Sequence, residues 1–175
     1  PRFDGAGLPA DELMRRLREA IASQGWQTAC NRLGGDFAIG LHLADGSPVL
    51  VVDRFAMQTL AWTQGPDGSV RFAERADDLA GAGAAIDEQA IYDYLYFHAI
   101  PSPRTIWRNV QRLPPGHCLH VQRGAARVEP YWRPRFEEPR SASFAALSEQ
   151  FRELLQAGVA RQLDGSKPAC FLSGG

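Results

Sequence analysis

The residue types best suited to chemistry gather at the end of the chain, in Lys167-Pro168-Ala169-Cys170-Phe171-Leu172-Ser173-Gly174-Gly175. Ala169 to Leu172 is a short continuous apolar run, the pattern of a strand buried on both faces, and it empties into a serine and two glycines. Glycines let backbone N–H groups reach phosphate oxygens with no Cβ in the way, and the serine adds a hydroxyl donor. A helix beginning there would aim its positive end at the anion. Leu172, Ser173, Gly174 and Gly175 are therefore candidate phosphate-binding residues. Serine and glycine also build ordinary turns, so these residues alone leave both readings open.

Other reactive side chains are scattered. Cys30, Cys118 and Cys170 are widely spaced, with no Cys-x-x-Cys pair and no histidine pair at ligand spacing, so neither a disulfide framework nor a metal site is indicated. Cys30, which follows a helix, reads as a buried structural thiol. His42, His98, His117 and His120 share no motif, and His117, in a Pro-Pro-Gly-His turn, reads as a structural hydrogen-bonding group. Asp53-Arg54 reads as a buried ion pair that fixes a strand end, since an isolated buried carboxylate is costly. No catalytic residue is assigned.

The elements that must position these groups form a chain of 175 residues, 45% hydrophobic, long enough for a proper core. No apolar run approaches the roughly 20 residues of a membrane span, and no signal-peptide pattern opens the chain. A formal net charge of −1 leaves no large basic footprint for nucleic acid. Arg15, Arg16 and Arg18, like Arg123 and Arg127, read as solvated surface. The cysteine usage points to a reducing, cytoplasmic compartment. Pro1 is not an initiator methionine and Gly175 falls in a loop-like stretch, so the chain reads as an excised piece of a larger protein.

In order, Phe3-Asp4-Gly5 is a turn after a strand end. From Asp11, Leu13, Leu17 and Ile21 fall four apart, with Met14 beside them, which predicts an amphipathic helix ending near Gly25. It passes almost directly through Gly25-Trp26 into a strand over Gly35 to Leu43, and Asp45-Gly46 turns that strand into Val49-Leu50-Val51-Val52. Leu60 to Thr63 and Val70 to Ala73 flank Pro66-Asp67-Gly68 as a second hairpin. Asp87 caps a helix whose face is Ala90, Ile91, Tyr94, Leu95 and His98, with Tyr92, Tyr94, Tyr96 and Phe97 as core and interface packing. Ile100-Pro101-Ser102-Pro103 ends it. Cys118 to Val121 pairs with Val128 to Trp132 across Arg123-Gly124. Residues 136–142 form a polar linker, and Ser143 caps a long helix running to Gln162 or Leu163.

The run Ile86-Asp87-Glu88-Gln89-Ala90, Tyr94-Leu95, Ile100-Pro101-Ser102-Pro103-Arg104-Thr105-Ile106-Trp107, Leu113-Pro114-Pro115-Gly116-His117 and Tyr131-Trp132 closely resembles the asparagine synthetase family. Leu33-Gly34-Gly35-Asp36-Phe37-Ala38, Val52-Asp53-Arg54-Phe55 and Phe171-Leu172-Ser173-Gly174-Gly175 extend the resemblance over nearly the whole chain. It implies an α+β fold, an antiparallel two-sheet sandwich flanked by helices of the glutaminase-like, Ntn type over residues 1–135. After the linker, residues 143–175 would begin a Rossmann-like α/β synthetase domain. It further implies ATP and Mg2+ as cofactors: a carboxylate is adenylated, an amine attacks the acyl-adenylate, and the Ser173 loop holds the pyrophosphate.

In the family's standard member that amine is ammonia, released from glutamine by an N-terminal cysteine. Here Asp4 stands where the family has an oxyanion-hole asparagine, beside Gly5, and Ala6 stands where it has a glutamate that holds the glutamine amine. A carboxylate cannot donate to a developing oxyanion unless protonated. The stretch expected to carry a Ser-Asp-Thr-Glu substrate loop is absent. Asp4, Gly5 and Ala6 therefore read as a vestigial glutamine site. The resemblance then points to branches that take their amine from the substrate, first the lasso peptide macrolactam synthetases, with the β-lactam synthetases also of this kind. The implied partners are ATP, a peptide or amino-acid carboxylate substrate and a precursor-processing protease, with no nucleic acid or membrane. Two alternatives stand: a glutamine-hydrolysing asparagine synthetase, and a non-catalytic module that holds a peptide or partner, which exposed apolar residues on the Leu60-Ala61-Trp62 strand would favour.

Overall fold

The computed structural model describes residues 1–138, 141–163, 165 and 167–169. The chain divides into two compact units, residues 1–134 and 135–175.

In the first unit, helix α1 (Ala10–Gln24) forms where the fourfold spacing predicts it, and Leu13, Leu17, Ala20 and Ile21 are its buried face. Gly25, at φ +82°, stops it in a conformation that an L side chain rarely adopts. The chain does not then pass directly into a strand. A short helix α2 (Trp26–Asn31) intervenes and buries Ala29 and Cys30.

The sandwich is organised on strand β5 (Pro48–Val52). It pairs antiparallel with β4 (Ala38–His42) on one side and β9 (His117–Gln122) on the other, and β10 (Ala125–Pro130) completes the order β10-β9-β5-β4. Alternation decides which face each residue joins. Val49 and Val51 pack with Ile39, Leu41, Cys118 and the buried face of α1, whereas Leu50 and Val52 join Leu119, Leu60, Trp62 and Leu113 on the opposite face. Each such side chain contributes roughly 1.5–3 kcal/mol by leaving water, so this doubly covered strand is where burial is concentrated. The second layer is a three-stranded sheet of order β7-β6-β8, made of β6 (Ala61–Gln64), β7 (Val70–Ala73) and β8 (Gln111–Arg112). The two layers touch where Gly40 faces Phe72; a Cβ at Gly40 would stand 2.3 Å from the ring.

The expected sandwich therefore exists, with a helix against one face of the larger sheet. The expectation of two sheets is corrected to three. β1 (Arg2–Phe3), β2 (Ala6–Gly7) and β3 (Leu33–Gly34) form a small sheet of order β2-β1-β3. Gly34 thus belongs to β3, and the strand expected from Gly35 begins at Ala38. The hairpins at Asp45-Gly46, Pro66-Asp67-Gly68 and Arg123-Gly124 all form.

Helix α3 (Glu88–Phe97) has the expected cap, the Asp87 carboxylate accepting from the Gln89 N–H at 3.0 Å. Its expected face is a correction. Only Ala90 and Asp93 are buried, while Ile91, Tyr94 and Leu95 face solvent, as do Tyr92, Tyr96 and Phe97. Asp93 draws the helix in: it accepts from Gln89 Nε2 at 2.8 Å and meets Arg104 Nη1 at 3.4 Å. A left-handed His98 ends α3 before the prolines are reached.

In the second unit Ser143 caps helix α4 (Phe144–Gln162), its Oγ accepting from the Ala146 N–H at 3.2 Å. Phe144, Leu147, Phe151, Leu154, Leu155 and Val159 lie along it at helical spacing, and no residue of α4 is buried.

Candidate functional site

The turn that joins β1 to β2 is built by sequence chemistry. Asp4 and Gly5 sit at φ +50° and +78°, the left-handed pair that a tight two-residue hairpin requires. Aspartate and glycine tolerate that region better than most residues. The Asp4 N–H donates to the Arg32 carbonyl at 3.0 Å, and Phe3 pairs with Leu33, so the turn is tied to the segment that leaves α2.

Asp4 itself is committed. Arg32 Nε and Nη2 donate to its two carboxylate oxygens at 2.9 and 2.5 Å, a bidentate pair, while the same guanidinium lies 4.5 Å from the Phe3 ring centroid. The hydrogen bond from Arg32 holds the Asp4 carboxyl below its ordinary value. The group presented at this turn is thus an ionised carboxylate that accepts and does not donate. Gly5 and Ala6 are exposed, and a Cβ added at Gly5 would meet nothing within 4 Å. Beside the turn a cleft of about 330 Å3 is lined by Phe3, Arg15, Arg16, Gln24 and Arg32. Its arginines are already matched, Arg15 by Glu12 and Glu19, Arg16 by Glu12, and Arg32 by Asp4. It therefore offers no free cation for an anionic ligand.

Asp53 has a different task from the one expected. Its carboxylate accepts backbone N–H groups from Phe37, Phe55, Met57 and Gln58 at 3.0–3.2 Å, and its own carbonyl accepts from Gly116 and Ala56. Burial raises its pKa, but the four donors outweigh burial and hold the carboxyl below its ordinary value. The expected Asp53-Arg54 ion pair is corrected: Arg54 is exposed and lies over the Trp132 ring at 5.8 Å. Backbone amides, not a guanidinium, compensate this buried charge.

The remaining candidates are structural. His117 Nδ1 stands 2.7 Å from the Pro115 carbonyl, inside its own turn, as expected. His120 stacks on Trp26 and meets Glu129 at 3.1 Å; His42 Nδ1 lies 3.1 Å from the Gly46 carbonyl. Cys30 and Cys118 are fully buried free thiols, and the Cys30 neighbour, with burial, pushes the Cys118 thiol well above its ordinary value. A thiol so raised is a poor nucleophile. Among the described residues no group of three or more His, Cys, Asp or Glu side chains could hold a metal ion. No helix there is long and apolar enough to cross a membrane. Leu172, Ser173, Gly174 and Gly175 lie outside the described residues.

The sequence reading missed Arg32. Its partner is 28 residues away, and the only available signal was the left-handed Asp-Gly turn, which needs something to hold its carboxylate. Leu60, Ala61 and Trp62, whose exposure would have favoured the peptide-holding reading, are buried.

The first unit is a layered α+β arrangement of antiparallel sheets, with a helix on one face and a tight turn projecting from its small sheet, an architecture consistent with a glutamine amidotransferase-like domain. The sequence pattern of the glutamine amidotransferase domain matches residues 16–132, well over half of the chain, and the chain belongs to that family. Asp4, Gly5 and Ala6 precede the matched span. No curated protein matches the chain.

Proposed function

We propose that this chain is part of an ATP-dependent amide-bond-forming synthetase in which the glutaminase-like domain is kept as architecture and the attacking amine comes from the substrate. What carries the reading is the Asp4–Arg32 pair. At the position where the resemblance expects an amide donor, the turn presents a carboxylate that Arg32 keeps ionised. A carboxylate held this way only accepts, and it cannot donate to a developing oxyanion. Ala6 adds no group that could grip an amine. Within this reading the lasso peptide macrolactam synthetases are the branch we favour: a side-chain carboxylate of a precursor peptide is adenylated and the N-terminal amine of that peptide attacks it.

ATP and Mg2+ belong to the proposal through Leu172 to Gly175, and no described residue is assigned to either. When bound, ATP supplies the activating adenylyl group. The test is incubation of the full-length protein with ATP and either a precursor peptide or glutamine plus aspartate, following pyrophosphate and glutamate release. Pyrophosphate release and loss of water from the peptide, without glutamate, is the expected result. The family match favours a second reading, glutamine-dependent ammonia supply, and glutamate release from glutamine would establish it in place of the first.

A further inference from the structure

Cys30 and Cys118 are the free cysteines among the described residues, and the fold sets one against the other. Both are fully buried in the cluster that α1 and α2 form on one face of the larger sheet. Alternation along β9 puts Cys118 and His120 on that face, while Leu119 belongs to the other. On α2, Trp26 and Cys30 are four residues apart and lie on one side of the helix, one turn from each other. The Trp26 ring stacks on the His120 ring at 4.9 Å. One helical turn, roughly 6 Å, and two strand residues, roughly 6.6 Å, are nearly equal steps. The packing that starts with Trp26 on His120 thus continues with Cys30 on Cys118, and the Cys30 thiol is the first hydrogen-bonding neighbour of the Cys118 thiol.

Helix α2 is also built to open locally. Six residues are too few for a helix to hold itself. Gly25, at φ +82°, stands at its start, and Trp26 is only partly buried. A brief opening of α2 carries Cys30 to solvent, and closing returns it to Cys118.

We propose that Cys30 and Cys118 are a redox pair that a small hydroperoxide oxidises to a disulfide, stapling α2 to β9. When α2 opens, the Cys30 sulfur attacks hydrogen peroxide: the S–H and O–O bonds break, an S–O bond forms, and one water leaves. When α2 closes, Cys118 Sγ attacks the sulfenic sulfur of Cys30. The S–O bond breaks, the S–S bond forms, and the hydroxyl departs with the Cys118 proton as a second water. Two thiols thereby give up two electrons and two protons, and the peroxide is reduced to water. A thiol as weakly acidic as Cys118 is a slow nucleophile in solution, but here the sulfenic sulfur is held against it, and proximity replaces acidity. The staple acts on what α2 carries. Asn31 Nδ2 donates to the Tyr131 carbonyl at 2.8 Å and Arg32 holds Asp4, so oxidation fixes both the exit of the first unit and the Asp4-Gly5 turn. This inference does not depend on the ligase reading.

The test treats the full-length native protein with hydrogen peroxide, blocks the remaining thiols with iodoacetamide in denaturant and digests with trypsin. Peptides 19–32 and 113–123 should be recovered joined, lighter by two hydrogens than their sum, and separate again after dithiothreitol. The thermal midpoint of the oxidised protein should rise by about 5 °C or more and fall back on reduction. Amide hydrogen exchange over residues 29–32 should slow on oxidation. Cys30→Ala and Cys118→Ala, each compared with its own reduced form, should show no peroxide-dependent rise; should either variant fail to fold, the joined peptides of the parent still decide. Both cysteines recovered alkylated, Cys30 recovered as sulfinic or sulfonic acid, Cys30 joined to a different cysteine, or a rise that survives either substitution would each overturn the proposal.

Discussion

Helices α1 and α3 belong to one compact unit and both are rich in apolar residues, yet they use them in opposite ways. The stripe of α1, Leu13, Leu17, Ala20 and Ile21, is no more than 8% exposed, whereas Ile91, Tyr94 and Leu95 of α3 are 42%, 56% and 71% exposed. The first helix is held by area removed from water. The second is held at a few points: the Asp87 cap, Ala90, and the bonds of Asp93 to Gln89 and Arg104. A similar contrast separates the two buried carboxylates. Asp53 is bound by backbone amides that cannot move away, and Asp93 by long side chains that can. Helical spacing therefore reports that a helix forms, and does not report how firmly it is held or which side is covered.

The largest test of that contrast is Leu17→Ala, which should cost about 2–5 kcal/mol in denaturant unfolding, while Leu95→Ala should stay within about 0.5 kcal/mol. Equal losses would dissolve the distinction between the helices. Next, Asp53→Ala strips an acceptor from four amides and should cost about 2–3 kcal/mol, against about 1 kcal/mol for Asp93→Asn, which keeps one acceptor for Gln89. The same comparison predicts a pH dependence. Because the folded Asp53 carboxyl lies below its ordinary value, its contribution is present above the unfolded value of about 3.9 and is lost as pH falls through the folded one. Thermal unfolding of Asp53→Asn should accordingly show a flatter acid limb than the parent. The smallest effect is expected from Tyr96→Ser, which removes a ring that stacks on Tyr92 and meets Phe97 edge to face in solvent. Stability should change by less than about 0.5 kcal/mol, and any weak self-association seen by sedimentation should diminish.

What the sequence revealed follows the same division. Helix α1, the three hairpins and the Asp87 and Ser143 caps were legible because each rests on a local pattern: fourfold spacing, Asp-Gly or Arg-Gly turns, a cap followed by an apolar run. β2, β3 and β8 were not, since each is two residues long and a two-residue strand has no period to read; of β1 only its end, at the Phe3-Asp4-Gly5 turn, was visible. The face of α3 was misread because Ile91 to Phe97 is apolar nearly all round, interrupted by Asp93, and the charged residue proved to be the inward one. At the candidate site the Asp4-Gly5 turn was visible and Arg32 was not, its contact being made by tertiary folding. The Asp53-Arg54 expectation failed for a related reason. Asp53 follows the end of β5, where its carboxylate turns onto the amides of Phe37, Phe55, Met57 and Gln58, while Arg54, in the turn, lies over Trp132.

Tyr131 closes the first unit in a particular way. Its hydroxyl donates to the Val52 carbonyl at 2.8 Å, its carbonyl accepts from Asn31, and the N–H groups of Tyr131 and Trp132 converge on the Gly116 carbonyl. The polypeptide is thus riveted to its innermost strand a few residues before it departs at residue 135. Tension applied to whatever follows meets these bonds to the innermost strand before it reaches the edge strand β10.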